Sequence, residues 1–121
     1  MSRNPLGLPR DLRLRQPAAF RDTTRAGLKL RDALFTVYAA PNGLPHGRLG
    51  TAVSRRVSSK AVERNRIKRH IRESFRLHQS MLAGLDVVVI AHTAAAAAPS
   101  QARADALQRH WRTASSKCAR C

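Results

Sequence analysis

The spacing of apolar positions changes repeatedly along the chain, and each change predicts an element. Residues 11–14 lead into Pro17, Ala18, Ala19 and Phe20, where Pro17 suits the first turn of a short helix that ends before Gly27. ALFTVYAA at 33–40 carries aromatic and β-branched residues and stops at Pro41, Asn42 and Gly43, as a strand closed by a turn does. Residues 43–47 are expected to form a hairpin loop. RLGTAVSR at 48–55 reads as the next strand, with Leu49, Thr51 and Val53 on one face and Gly50, Ala52 and Ser54 on the other. A further short strand is expected around residues 28–31.

The pattern then switches to helical spacing over residues 60–78, which closes near Gly84. At about 100° per residue, Ile67, Ile71, Ser74, Phe75 and His78 fall in one narrow arc that would dock on a sheet. LDVVVIAH at 85–92 is a nearly unbroken apolar run, which predicts a central strand covered on both faces. Alanines 94–98 and Pro99 read as a low-complexity joint. Ser100 is offered as the N-cap of a last helix in which Ala104, Leu107, Trp111 and Ala114 repeat at helical spacing. This order, without internal repeats, reads as an α+β two-layer sandwich. A single domain over residues 11–116 is expected, between a flexible basic arm at 1–10 and a flexible tail at 117–121.

Charge adds a partner to this outline. The 121 residues hold 23 Lys and Arg against 7 Asp and Glu, a net charge of +16, and such a surface favours a polyanion through counterion release. The densest segment is ERNRIKRHIRESFR at 63–76. Arg64, Lys68, Arg72 and Arg76 recur at i, i+4, with Asn65 and Arg69 on the same broad flank. Glu63 and Glu73 are expected on the opposite side. Solvated helices usually intersperse both signs, whereas an uncompensated Arg stripe suits phosphates, each guanidinium fork taking two oxygens.

Other chemistry is not legible. No Ser, His and acid arrangement, no paired carboxylates and no Gly-rich phosphate loop stand out, and the acids are scattered rather than clustered for metals. His70 and His78 read as packing or surface residues. Cys118 and Cys121 form CARC; His110 is a conceivable third ligand, but a zinc site needs four, so two free thiols are the plainer reading. The N-terminus lacks a signal-peptide core, and the run at 85–91 is too short to span a bilayer. A cytoplasmic protein with no membrane partner is expected.

ERNRIKRHIRESFR, preceded by RLGTAVSRR and followed by DVVVIA, resembles the protein component of bacterial ribonuclease P, with its Arg-Asn-Arg core in such a helix. The resemblance extends from PRDLRLRQPAAF at 9–20 to the helix of Trp111. It implies a subunit that assists a catalytic RNA in removing the 5′ leader from precursor tRNA. The RNA, with Mg2+ bound mainly by it, would perform the hydrolysis, and no protein side chain would be catalytic or bind metal. Carried over by motif, Arg64, Asn65, Arg66, Lys68, Arg69 and Arg72 would face RNA, with Arg55 and Arg56 as a basic pair after the second strand. The partners would be this catalytic RNA and the leader, with no obligate protein partner.

The family's cleft for the leader lies between its first helix and the sheet. Phe20 matches its first aromatic, with simple burial as an equal alternative, while Thr24 stands where many members have a second. Leu34, Thr36 and Tyr38 would line the cleft from the strand, Tyr38 as the better platform for a base. The resemblance also implies a left-handed βαβ crossover of the ribosomal protein S5 domain 2-like type. Two other classes share parts of the pattern. A general RNA-binding or ribosome-associated protein would not prefer precursor over mature tRNA, and a free-standing nuclease would cleave without an RNA subunit.

Overall fold

In the computed structural model, residues 23–25 and 27–118 are described. The chain enters its sheet through a turn built by Asp32, whose Oδ1 accepts the N–H groups of Leu34 and Phe35, both at 2.8 Å. This Asx-type turn reverses β1 (Leu28–Arg31) into β2 (Phe35–Pro41), which pair antiparallel. The short strand expected at 28–31 is therefore present. Residues 23–25 are helical and end at Gly27, whose N–H donates to Thr23 O at 2.9 Å. A Cβ at Gly27 would collide with that carbonyl and come within 3.0 Å of Ala39 O, so only glycine allows this approach to β2.

The sheet order is β1-β2-β4-β3, with β3 at Arg48–Ala52 and β4 at Leu85–Ala91. β4 runs antiparallel to β2 and parallel to β3. The expected hairpin at 43–47 is thus corrected: the turn forms, but β4 lies between the strands it joins. Its ends are held to β4 instead. Asn42 donates from its backbone N–H to Gly84 O at 2.9 Å and from Nδ2 to Asp86 Oδ1 at 2.9 Å. Arg48 completes the anchor with two bonds to the Asp86 carboxylate, Nε to Oδ1 at 2.8 Å and Nη2 to Oδ2 at 2.7 Å. Gly84, at φ 82°, turns the chain into β4 in a conformation that side chains resist.

Helices α1 (Ala61–Leu77), α2 (Ala94–Ala97) and α3 (Ser100–Cys118) pack on one face of the sheet, giving the two-layer α+β arrangement. Phe35, Val37, Leu49, Val87 and Val89 meet Ile67, Ile71 and Phe75 of α1 and Leu107 and Trp111 of α3. Burial of each large apolar side chain contributes about 1.5–3 kcal/mol before entropy is subtracted. Phe75 and Trp111 meet edge to face, with centroids 6.0 Å apart and planes at 81°, and Trp111 Nε1 donates to Ser74 Oγ at 2.8 Å. The buried arc of α1 is therefore the predicted one, with Lys60 and His78 as its caps. Val88, on the sheet's other face, is also fully buried, as the unbroken apolar run of β4 requires.

Four local expectations change. β3 ends at Ala52 rather than at residue 55, because the chain turns, with Val57 N–H donating to Ser54 O at 3.1 Å. The alanine joint is the short helix α2, with Ala95 fully buried against the core. Ser100 lies inside α3: the first helical bond runs from Arg103 N–H to Pro99 O at 3.1 Å, placing Pro99 at the cap. α3 continues to Cys118, past residue 116. The arm at 1–10, Phe20 and residues 119–121 lie outside the described residues.

Candidate nucleic-acid interface

The basic surface is prepared by the turn before α1. Val53 and Val57 are buried, so the turn between them is pinned at both ends and Arg55 and Arg56 are held out in solvent. Ser58 then organises the start of the helix. Its Oγ donates to Glu63 Oε1 at 2.8 Å and accepts the Lys60 N–H at 3.2 Å, a substitute for the side-chain cap that Lys60 lacks. Arg64 Nη1 donates to Ser58 O at 2.9 Å. Arg64 is therefore half-buried and braces the turn, while Asn65, Arg66 and Arg69 are exposed. Lys68 and Arg72 are half-buried beside them.

Glu73 does not stand opposite this basic surface. It lines a solvent-open cavity together with Arg66, Arg69, His70, Ser100 and Arg103, so the expectation of acids confined to the far side is corrected. The reason is angular: Glu73 falls between Arg69 and Arg66 at about 100° per residue. Arg103 is buried and was absent from the expected site, although it sits four residues before Leu107 on the apolar stripe of the last helix. Its Nη1 donates to Ala95 O at 3.0 Å and Ala98 O at 2.8 Å, and its Nε donates to His70 Nδ1 at 3.2 Å. That bond makes Nδ1 the acceptor and leaves the proton of a neutral His70 on Nε2. Burial and then the Arg103 charge push the His70 pKa down, and burial and then Arg66 push that of Arg103 down.

The strand positions expected to line a cleft divide. Thr36 and Tyr38 point away from the helices, across from Ile90 and Val88 of β4. Thr36 is only 5% exposed and its Oγ1 is 2.7 Å from His92 Nε2. Tyr38 is half-buried, with Lys29 Nζ 5.9 Å from its ring centroid, a cation–π placement. Leu34 does not join them, since it precedes β2 and packs against the core. His92 was not anticipated; its one sequence signal is that it continues the alternation of Val88 and Ile90 past the end of β4. Thr24, within the helical residues 23–25, is half-buried.

No helix among the described residues is long and apolar enough to cross a membrane. Among the same residues no three His, Cys, Asp or Glu side chains converge on one point.

A mixed four-stranded sheet backed by helices, one of them an exposed Arg-rich helix in a parallel crossover, defines an α+β domain built to meet a polyanion. The sequence profile of the Ribonuclease P family matches residues 8–115. The ribonuclease P protein component of Methylococcus capsulatus is 46% identical over 112 residues, covering 93% of this chain and 88% of the relative. That of Thioalkalivibrio sulfidiphilus is 38% identical over 113 residues, covering 93% and 94%. The solved structure of the Staphylococcus aureus ribonuclease P protein superposes with a TM-score of 0.76 at 33% identity, covering 81% of this chain and 90% of that one. The chain belongs to the ribonuclease P protein component family: it is a protein subunit of the enzyme that processes tRNA 5′ ends, and it associates with the ribonuclease P RNA.

Proposed function

We propose that the turn carrying Arg55 and Arg56 and the exposed side of α1, with Arg64, Asn65, Arg66, Lys68, Arg69 and Arg72, bind the catalytic RNA, and that the sheet face with Thr36 and Tyr38, together with Phe20, takes the 5′ leader of precursor tRNA. The observation that carries this reading is the fixed presentation of α1. Ile67, Ile71, Ser74 and Phe75 are buried along one edge while Asn65, Arg66 and Arg69 stay exposed, so the backbone that spaces the basic groups is already ordered before binding. Hydrolysis and its Mg2+ reside with the RNA, in the cytoplasm, and no further protein is required.

The test is cleavage of precursor tRNA by ribonuclease P RNA at low Mg2+ with and without the chain. Stimulation is expected; unchanged cleavage, or cleavage by the chain alone, overturns the assignment of roles. Replacing Arg55 and Arg66 by Ala together should weaken binding to the RNA subunit about tenfold or more, two charge-assisted contacts being lost. These positions are preferred to Arg64, whose removal would also break the bond to Ser58 O. Tyr38→Ala should instead reduce the preference for precursor over mature tRNA, since one stacked base is worth about 1–3 kcal/mol. Equal losses for both substrates would sink the leader assignment.

A further inference from the structure

The solvent-open cavity between α1 and the start of α3 has a volume of about 280 Å³ and is lined by Arg66, Arg69, His70, Glu73, Ser100 and Arg103. A water's share of liquid volume is about 30 Å³, so the space admits a tetrahedral oxyanion with part of its hydration. Its charge is unbalanced, three guanidinium groups facing one carboxylate.

Arg103 is the unusual member. It is 7% exposed, and its hydrogen bonds go to neutral acceptors, Ala95 O, Ala98 O, His70 Nδ1 and, at 3.4 Å, Ser100 Oγ. Among the described residues no carboxylate forms an ion pair with it. A buried cation without a counter-charge is costly, and the cost is relieved when an anion arrives. Two further groups favour one. The helical bonds of α3 begin at Arg103 N–H, so the N–H groups of the preceding positions lie free of the helix ladder at the end where Ser100 lines the cavity. His70, with Nδ1 taken by Arg103, keeps an N–H at Nε2.

We infer that this cavity is a phosphate subsite, in which Arg66 and Arg69 from α1 and Arg103 and Ser100 from α3 grip one phosphodiester of the bound RNA, fixing the register of the RNA along α1. The proposal rests on the RNA-binding reading of α1 and adds a second helix to it. Glu73 narrows the occupants: one phosphodiester charge is accommodated against a surplus of two positive charges, whereas an acidic peptide would bring several carboxylates to a wall that already holds one.

The experiment uses Ser100→Glu, which places a carboxylate at the rim where a helix start tolerates it well, and Ser116→Glu on an exposed turn of the same helix as a charge-matched control. Inorganic phosphate titrated into the free protein should shift the amide resonances of Arg66, Arg69, Ser100 and Arg103 together in the parent and in Ser116→Glu, and not in Ser100→Glu. Shifts confined to α1, or retained in Ser100→Glu, overturn the cavity. With ribonuclease P RNA, Ser100→Glu should lower affinity on the order of tenfold and reduce the slope of log affinity against log salt by about 0.7–0.9, the equivalent of one phosphate, with little change for Ser116→Glu. Equal effects of the two variants on RNA, where the phosphate shifts behave as expected, show a site for free phosphate and overturn its use by RNA. A parent chain that takes phosphate in the cavity but does not bind the RNA breaks the α1 reading and not the cavity.

Discussion

Ser74 holds the indole of Trp111 through a buried hydrogen bond of 2.8 Å, and single groups of this kind set the core. Ser74→Ala leaves the indole N–H without an acceptor and should cost about 1–3 kcal/mol. Trp111→Phe combined with Ser74→Ala should cost less than the sum of the single changes; a urea double-mutant cycle measures the difference, and strict additivity would deny the coupling. His110 Nε2 lies 2.9 Å from Asp32 Oδ2 at the turn into β2. Burial pushes His110 down more than Asp32 raises it, and His70 is depressed too. Below the ordinary imidazole value of about 6.5 the unfolded chain therefore binds more protons than the folded one, and stability falls until the depressed folded values are reached. Burial pushes the Asp32 carboxyl up, but the Phe35 and Leu34 N–H groups and His110 outweigh it, so its contribution is present above about pH 3.9 and lost below. Urea midpoints at pH 7.5 and 5.5 should differ, with the lower value at pH 5.5, and His110→Gln should shrink the gap. The periodicity of α1 makes Ser74 and Ile67 legible as buried, but not the partners of His70 and His110, which depend on how α3 meets α1 in one case and the turn into β2 in the other.

Elements were legible where their pattern was local. The 3.6-residue spacing of Ile67, Ile71 and Phe75 located α1, and the apolar run of β4 announced a strand covered on both faces. The alanines of α2 favour a helix by propensity, but their sequence carries no amphipathic contrast to mark one, and the face that packs is seen only in the burial of Ala95 against the core. The place of Glu73 is legible in the wheel itself, since about 100° per residue sets it between Arg66 and Arg69; what the wheel of one helix lacks is α3, whose Ser100 and Arg103 close the cavity beside it. The anchor of the β2–β3 connection also joins elements far apart in sequence. Asp86→Ala strands Arg48 and Asn42 together and should cost about 2 kcal/mol or more, below the roughly 3–5 of a fully buried pair because Arg48 keeps some solvent. Gly27→Ala should be as damaging, since its Cβ meets backbone carbonyls and not yielding side chains. Thermal unfolding checks both, and an unchanged midpoint for either would show that the connection relaxes freely.

At the scale of the molecule, a net charge of +16 makes association with RNA strongly salt-dependent, and binding measured at several salt concentrations should report a slope of about 0.7–0.9 for each phosphate engaged. Charge was the part of the function most legible from composition, and the order of motifs narrowed it to one family. Strand order was not legible, because a turn fixes where the chain reverses but not which strand it reverses beside. That order governs when the protein can exist. β4 is the seam on which β2 and β3 both depend, and it is made after α1 on the ribosome. Until residues 85–91 emerge, β2 and β3 have open edges and the Arg-rich helix has only part of its platform. A chain stopped at residue 84 should lack a cooperative unfolding transition, while the full chain shows one. An unfinished polypeptide would thus carry the basic residues without their fixed spacing, so the same insertion that orders the sheet delays competent RNA capture until nearly the whole domain has been synthesised.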